Sequence, residues 1–580
     1  MAVTVTERRT EVTNAESTTD WTGAGFGVTT VSAEHTNAVA VSLASTTGQV
    51  YYTQPTGSVN LGTSPGTLVY VWSFNNALQD AWDASPPPNA LMLGDGTDQI
   101  AFDMAGADRR VFNHLEGPTG LDCNGWQCLV LDTSEASTMN SAGNTYVVAG
   151  SFAALDFTAI TQWGVSFDTN SKALGGGYNG AVDIIRYGND GIRITGGGSS
   201  TQGTFLEVVT EDRARGDNKA HGIIRELGTG LYGCQGPMTW GDSGGVDTNY
   251  FDDENVVLAF ENRNIGDDKY YLNIEGNSTG TNSFVLRSST ISTGGPNVKM
   301  DMDGGNVDVI TFDTVVFLSL GGVILLSSAA DASGHTFNNC TFEGCDKITV
   351  GAVDFQNNIV SNTVATDNAI TNTGGANMSG CSISGFEGTA DNSAVFYNVA
   401  ADPDGEMDNM SFTKGTAATH AIEFGTSVPA TMTLRGIAFS GYNASDSQTD
   451  STLYFADTGG TITVNLVDCT GNISYKSAGA TISLLSAVPL TMTVKDEDGN
   501  LLTGVNCAIY KSSDDTELLR ENTIAGIAND SVNYTGDFAI YWRARKSSTG
   551  STRYVNQKGT GVVESTGFSV VVTMPVEPVS

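Results

Sequence analysis

Paired carboxylates are the side chains of this sequence with the clearest catalytic potential. Asp301, Asp303 and Asp308 lie close together, and Glu343 and Asp354 follow further along the chain. On a β-strand, Asp301 and Asp303 would project from the same face. Two carboxyl groups in a groove can act as general acid and as base or nucleophile on a glycosidic bond. With 64 acidic residues in the chain, such a cluster can equally be a solvated surface or a set of Gly-Asp turns.

Three other segments are interpreted as turns. The segment 241–245, Gly-Asp-Ser-Gly-Gly, matches the nucleophile loop of chymotrypsin-like proteases, but no upstream His stands in the context of that family. The segments 301–306 and 496–500 offer oxygen ligands beside a Gly, yet neither completes a twelve-residue calcium loop. We therefore predict no bound cofactor and no metal site.

The cysteines do not form a recognisable ligand set. Of the eight, Cys123/Cys128 and Cys340/Cys345 are close pairs, and no His completes zinc-ligand spacing around them. We expect buried, reduced thiols that pack as small apolar side chains.

The charge balance excludes two classes of partner. Lys and Arg number 27 against 64 Asp and Glu, which gives a formal net charge of −37. No basic patch is present for a phosphate backbone, and an anionic surface disfavours anionic membranes. The most apolar stretch, 315–330, is too short to span a bilayer, and the N-terminus lacks the apolar core of a signal peptide. We predict no nucleic-acid binding, no membrane insertion and no secretion leader.

Short apolar runs between Gly, Ser, Thr, Asn and Asp turns predict an all-β chain. Residues 1–20 form an N-terminal arm, and the longer strands of 21–192 are typical of a jelly-roll, lectin-like sandwich. Residues 193–486 carry shorter strands and no helical periodicity. Residues 487–580 predict a small β-sandwich.

The segment 193–486 contains an irregular repeat. An apolar residue, two small or polar residues, an apolar or Cys residue, a spacer and another apolar residue recur, as in Phe312–Phe317 and Phe337–Phe342, with starts about 23 to 41 residues apart. Repeats of this length predict a right-handed parallel β-helix in which each repeat is one rung. Cys340, Cys381 and Cys469 occupy the same pattern position and are expected to face the interior.

Several local sequences resemble virion proteins of tailed phages, especially those found in marine environmental genomes. They are the segments 93–97 (LGDGT), 125–133 (GWQCLVLDT), 183–188 (DIIRYG) and 248–253 (TNYFDD). The segment 494–505 resembles the opening of immunoglobulin-like or transthyretin-like modules. The resemblance implies a jelly roll followed by a β-helix, and it assigns no catalytic residues.

The expected function is that of a structural and adhesive virion component, either a tail fibre or tailspike-like protein or a capsid-decorating protein. Its partners would be other virion proteins and a host-surface polysaccharide, and phage β-helices are commonly homotrimers. The chain would be assembled into virions in the host cytoplasm. The alternative is a polysaccharide depolymerase that uses paired carboxylates, with Asp301, Asp303 and Asp308 as candidates. A secreted bacterial adhesin is less consistent with the missing signal peptide.

Overall fold

A computed structural model shows the chain as two compact units, Met1–Ala365 with Ala369–Gly374, and Thr366–Asn368 with Gly375–Ser580. The residues that the structure describes are 3–23, 26–29, 38–41, 47–62, 66–75, 89–102, 126–168, 180–197, 202–213, 224–234, 236–241, 249–260, 272–276, 282–293, 300–301, 309–320, 324–326, 335–534, 537–546, 552–564 and 566–577. The predicted fold class is confirmed: the chain is all-β, with an antiparallel sandwich, a parallel β-helix and a second β-sandwich.

The N-terminal sandwich of the first unit has two antiparallel sheets. Their order is β10-β7-β13-β5-β4, with β2 beside β13, and β11-β9-β8-β12-β6-β3. Alternating apolar residues of both sheets form one core, for example Val69, Leu91 and Val182. The first strand of the chain, β1 (Thr4–Glu7), does not belong to the sandwich and pairs antiparallel with Ile192–Thr195 of the β-helix. The sandwich strands are β2 (Thr10–Thr13), β3 (Trp21–Thr22), β4 (Phe26–Thr29), β5 (Ala38–Val41), β6 (Thr47–Thr53), β7 (Leu68–Asn75), β8 (Asn89–Gly94), β9 (Gln99–Phe102), β10 (Trp126–Asp132), β11 (Thr145–Ala149), β12 (Gln162–Asp168) and β13 (Gly180–Tyr187), with helix α1 (Ala136–Ser141).

A buried ion network holds the N-terminal arm to this sandwich. Arg9 donates from Nε to Glu7 at 2.6 Å, and Arg186 of β13 donates to the same carboxylate at 2.5 Å. The Arg9 guanidinium also lies 4.3 Å from the ring centroid of Tyr70. The two cations lower the pKa of Glu7 against the opposing effect of its burial. An isolated buried charge is unfavourable, so each member of this network requires the others.

Parallel pairing builds the β-helix of the first unit. Three sheets stack rung on rung, in the orders β14-β17-β20-β23-β26-β29-β31, β16-β19-β22-β25-β28-β30 and β18-β21-β24-β27. The elements are β14 (Ile192–Thr195), α2 (Phe205–Arg213), β15 (Ile224–Gly228), β16 (Leu231–Cys234), β17 (Met238–Trp240), β18 (Asn249–Glu254), β19 (Val257–Phe260), β20 (Leu272–Ile274), β21 (Asn282–Arg287), β22 (Thr290–Thr293), β23 (Met300–Asp301), β24 (Val309–Asp313), β25 (Val316–Leu318), β26 (Ile324–Leu326), β27 (Thr336–Asn338), β28 (Thr341–Glu343), β29 (Ile348–Val350), β30 (Ile359–Ser361) and β31 (Asn368–Asn372).

The prediction that this segment lacks helices is wrong, because α2 lies at the first rungs. Thr204 accepts from the backbone N–H of Glu207 at 3.3 Å, and the Glu207 carboxylate accepts from the N–H of Thr204 at 3.2 Å. This reciprocal pair is a capping box. Phe205, fully buried, packs 4.9 Å from the ring of Phe251. The helix therefore covers apolar surface that the first rungs would otherwise expose.

The recurring sequence pattern corresponds to one corner of each rung. In the first unit the corner residue adopts a left-handed conformation at Asn255, Ser288, Thr314, Asn339 and Asn357. The N–H of the corner residue donates to a carbonyl of the next rung, as from Thr314 to Asn338 at 3.1 Å. The residue that follows points inward, and Cys340 is one of these, with no exposed surface. Asn and Gly tolerate this conformation far better than β-branched residues do.

The second unit repeats this corner and then continues into the C-terminal sandwich. Its corner residues are Gly380, Asn409, Gly436 and Asp468, and the inward residues that follow include Cys381 and Cys469. Its strands are β32 (Ser382–Ser384), β33 (Ser393–Tyr397), β34 (Ser411–Thr413), β35 (His420–Phe424), β36 (Thr431–Arg435), β37 (Ala438–Ser440), β38 (Leu453–Phe455), β39 (Thr461–Val467), β40 (Tyr475–Ser477), β41 (Thr481–Lys495), β42 (Val505–Lys511), β43 (Glu517–Asn522), β44 (Ile527–Asn533), β45 (Phe538–Lys546), β46 (Gln557–Val563) and β47 (Phe568–Thr573).

One long strand joins the β-helix of the second unit to its sandwich. Residues 481–487 of β41 pair in parallel with β39, and residues 487–493 pair antiparallel with β44. The opposing sheet has the order β43-β42-β45-β46. The core between these sheets includes Leu490, Met492 and Ile509. Because β41 belongs to both structures, no free linker separates them.

Replacing Thr314 by Asn should stabilise the chain by about 1 kcal/mol, because a β-branched residue is poorly suited to the left-handed corner at φ 58°. The measurement is the midpoint of thermal unfolding. The control is Thr341→Asn, in the strand of the next rung, which should give no gain. An unchanged or lower midpoint for Thr314→Asn would contradict the importance of the corner conformation.

Candidate functional site

Four side chains in register form a row on the outside of the second unit's β-helix. Phe396 pairs with Glu423, Glu423 with Tyr454 and Tyr454 with Lys476, on strands β33, β35, β38 and β40. Each is half-buried, and the strand neighbours of Phe396, Glu423 and Tyr454 are buried. Adjacent strands lie about 4.8 Å apart, so the row spans roughly 14 Å. We call these four residues the outer row.

Lys476 bends back along the outer row. Its Nζ contacts Oδ1 of Asp391, which precedes β33 and adopts a left-handed conformation with φ 71°. The same Nζ lies 5.9 Å from the ring centroid of Tyr454. The lysine therefore joins the two ends of the site through a carboxylate and an aromatic ring.

A buried histidine lies beneath the outer row. The ring of His420 has no exposed surface and stacks on Tyr454, with centroids 5.3 Å apart and planes inclined by 14°. Its Nδ1 lies 2.5 Å from the carbonyl oxygen of Ser451, which can only accept, so Nδ1 carries the proton. Its Nε2 is 3.5 Å from Oδ1 of Asp391. Burial lowers the pKa of His420, so the neutral ring is favoured.

Glu423 is the second carboxyl group of the site. Its Oε2 accepts from the Ser393 hydroxyl at 3.2 Å, and that hydroxyl lies 3.1 Å from the Asn368 side chain. Burial raises the pKa of Glu423. Within one cluster, a carboxyl group with a raised pKa thus occurs together with a carboxylate, Asp391, that is ion-paired with Lys476. Such a difference between two carboxyl groups can support both proton donation and charge stabilisation.

Of the three carboxylates predicted from the sequence, the structure describes Asp301 alone. Asp301 ends strand β23, with Asn273 and Leu325 as register partners, whereas Asp303 and Asp308 lie outside the described residues. Their proposed pairing therefore stays a prediction.

The two further carboxylates are on different sheets. Glu343 is exposed on β28, and Asp354 bridges to Thr336 of β27. Asp354 accepts hydrogen bonds from Asn338 at 3.1 Å and from Gln356 at 2.6 Å. The structure does not bring Glu343 and Asp354 together as a pair.

Sequence reasoning missed the outer row because its members are about 22 to 31 residues apart along the chain. Rungs of unequal length conceal such a register. One local signal was present, since His420 and Glu423 interrupt the otherwise apolar strand His-Ala-Ile-Glu-Phe. A buried strand with two titratable residues is unusual unless both have partners.

The other motifs have structural roles where the structure describes them. Gly241 has φ 87°, and a Cβ there would lie 1.9 Å from the Glu275 carbonyl oxygen, so the backbone requires Gly. The rest of that motif, 242–245, lies outside the described residues. The Asp496 carboxylate accepts from the N–H of Asn500 at 2.8 Å, as in a turn.

The seven described cysteines are free thiols. Burial raises the pKa of Cys340 to about 12 and that of Cys507 to about 11, which keeps both protonated and unreactive near neutral pH. Among the described residues no group of His, Cys, Asp and Glu is arranged as metal ligands would be. Neither helix in the described ranges is long and apolar enough to cross a membrane.

A pocket in the first unit is too small for an organic ligand. Trp240, Phe251, Phe284 and Glu275 contribute to its lining. Its cavity volume is about 20 Å³, close to the space that one water molecule needs. We assign it to the packing of the first rungs.

Replacing His420 by Asn should flatten the pH dependence of unfolding between about pH 5 and 6.5. The lowered pKa means that the unfolded chain binds a proton before the folded one. Stability present above the ordinary value of 6.5 is therefore lost as the pH falls. Asn retains a donor for the Ser451 carbonyl but cannot titrate. The raised pKa of Glu423 acts in the opposite direction and is common to both proteins.

The measurement is the urea unfolding midpoint at several pH values for the two proteins. Asp391, Lys476 and Tyr454 are present in both proteins, so a difference between the two pH profiles is due to the residue at position 420. An identical decline with acid in the variant would contradict a neutral His420.

Comparison with known proteins identifies no family for the chain. No protein-family model and no curated protein matches it. Two solved structures align along much of it: the catalytic unit of a thermostable GH87 alpha-1,3-glucanase from Streptomyces thermodiastaticus strain HF3-3, at 11% identity, covering 83% of this chain and 96% of that chain with a TM-score of 0.20, and the Agl-KA catalytic domain, at 10% identity, covering 83% and 98% with a TM-score of 0.19. TM-scores this low carry no argument about the function of this chain.

Proposed function

We propose that the chain is a structural and adhesive component of a tailed-phage virion, tail fibre-like, tailspike-like or capsid-decorating, and that its outer row binds a host-surface glycan. The observation that carries the glycan proposal is the register of Phe396, Glu423, Tyr454 and Lys476 on neighbouring strands. Rings and hydrogen-bonding groups alternate along about 14 Å, a length suited to several sugar residues of one chain.

The chemistry of the outer row suits a sugar better than an apolar partner. Tyr454 offers an apolar ring face and a hydroxyl, Glu423 offers a carboxyl group, and the Lys476 ammonium is a donor. Sugar rings combine apolar C–H faces with hydroxyls that donate and accept, so they match this mixture. The strands of the β-helix fix the spacing of the groups before binding, which limits the entropy lost on association.

The structural part of the proposal is supported by how the rungs are held. Corner residues and parallel strands tie successive rungs through backbone hydrogen bonds, and six of the seven described thiols are buried. Other virion proteins and two further copies of the chain are the partners in this proposal. Electron microscopy of purified virions should place the chain at the tail or on the capsid. Purified virions in which no density corresponds to the chain would refute the virion role.

Tyr454→Ala should weaken glycan binding about tenfold, a loss of about 1.4 kcal/mol, because a ring is removed from the centre of the outer row. The measurement is surface plasmon resonance on an array of bacterial surface polysaccharides. The control is Tyr250→Ala, which removes a half-buried tyrosine from β18 in the first unit and should bind normally. Equal binding by wild type and Tyr454→Ala would exclude the outer row as the glycan site.

A second candidate function, polysaccharide cleavage, is favoured by the raised pKa of Glu423 beside the ion-paired Asp391. In that case Glu423 would protonate the leaving oxygen. Glu423→Gln should then lower the release of reducing ends by about 100-fold or more while binding persists. The control is Glu387→Gln, at a carboxyl whose pKa is lowered by donors from Thr416 and Ala417. If the wild-type protein binds a glycan without releasing reducing ends, the outer row functions in adhesion and not in cleavage.

A further inference from the structure

The C-terminal segment 487–580 has a charge balance unlike that of the rest of the chain. It contains eight Lys and Arg against eleven Asp and Glu, so its net charge is 8 − 11 = −3, whereas the whole chain carries −37. The first 486 residues therefore carry −34. Nearly a third of all Lys and Arg residues lie in this segment. Their positions in the sandwich determine whether they form one positively charged surface.

Several of these cations lie together on the outer face of the sheet β43-β42-β45-β46. Arg543 stands directly opposite Lys558, and Ala508 stands between Arg543 and Arg520. Arg545, two residues beyond Arg543, projects from the same face. Ala544 lies between them and points into the core. Paired residues are about 5 Å apart and alternate residues about 7 Å apart, so these cations occupy one compact surface.

Two stacked tyrosines continue this surface. Tyr510 and Tyr541 are register partners with ring centroids 5.1 Å apart and planes inclined by 18°. The Arg543 guanidinium lies 5.4 Å from the centroid of Tyr541 and 5.9 Å from that of Tyr510. Aromatic rings therefore orient this cation, and its charge is not neutralised by them.

Two acidic groups near the face, Glu517 and Asp515, engage other donors. Glu517 accepts from Arg520 at 2.7 Å, and Asp515 accepts from the Tyr541 hydroxyl at 2.9 Å. In the described part of the sandwich, Arg543, Arg545 and Lys558 are exposed and form no ion pair. Like charges directly opposite each other on a sheet are destabilising. A bound anion would remove that repulsion.

We infer that this face, consisting of Tyr510, Tyr541, Arg543, Arg545 and Lys558, binds a polysaccharide that carries carboxylate, sulfate or phosphate groups. The cations pair with the anionic substituents, and arginine adds planar donors that fit them. The tyrosines offer apolar surface to the sugar rings between the charges. This combination favours an anionic carbohydrate as the partner. A partner recognised by charge alone, such as an acidic protein surface, would not need the tyrosine rings.

The test uses the full chain with heparin and polygalacturonate as sulfated and carboxylated probes, and with neutral dextran as reference. Titration calorimetry should detect both polyanions but not dextran, with affinity that falls as salt rises. Arg543→Ala with Lys558→Ala should weaken binding at least tenfold. The matched control, Lys414→Ala with Arg435→Ala, removes two β-helix cations that are paired with Asp450 and Asp404 and should bind normally.

Three results would overturn the inference: equal binding by the face variant, equal loss in the control variant, or equal binding of dextran. Sedimentation of the face variant distinguishes a further case. If only self-association changes while polyanion binding persists, the face is an interface between copies. Unfolding midpoints of both variants check that each is folded. Because none of these residues belongs to the outer row, failure here and failure of the proposed glycan site can be told apart.

Discussion

The β-helix depends on a left-handed residue at one corner of its rungs. A chain that turned there in an extended conformation would carry the following side chain outward and leave a gap in the core. At Thr314 and Asn339 the turn instead directs Val315 and Cys340 inward, and the corner N–H donates to the next rung. The corner thus fixes both the inward side chains and the vertical bonds between rungs. Neither would be favourable alone, since a single rung buries little surface.

Once the corner is fixed, strand alternation determines what the outside can do. In the second unit, Ile422 and Phe424 fill the interior, so Glu423 must point outward. Parallel register then places Tyr454 beside it whatever the length of the loop between them. The result is a surface with regular vertical spacing, built from residues far apart in sequence. Insertions lengthen the loops and do not change the spacing between residues of a binding row.

The sequence permitted the fold to be predicted better than the site. Phe312–Phe317 and its equivalents carry the corner in a local pattern, because corner and inward residue are adjacent. The helix α2 was missed although Thr204 and Glu207 are spaced as a capping box, a signal that short helices without clear periodicity can still carry. The outer row could not be predicted, because its members meet only through register and unequal rungs hide the register.

Spacing along the chain alone therefore does not reveal a site of this kind. Asp301 and Asp303 are neighbours in sequence, but closeness along one strand says nothing about the rungs above and below. His420 and Glu423 are separated by a similar interval and do belong to one cluster, because Asp391, Ser393 and Lys476 arrive from other rungs. In a stacked fold, a polar residue acquires chemistry from its vertical neighbours more than from its sequence neighbours.

Burial of polar groups is the physical reason to treat this cluster as more than surface. A buried neutral histidine and a carboxyl group with a raised pKa both reduce stability unless their partners are well placed. An apolar side chain at His420 would fill the same position without that penalty, as Val395 and Ile422 do nearby. The like-charged pair Arg543 and Lys558 is a similar departure on an otherwise acidic chain. Departures of this kind concentrate where a fold serves a function beyond its own stability.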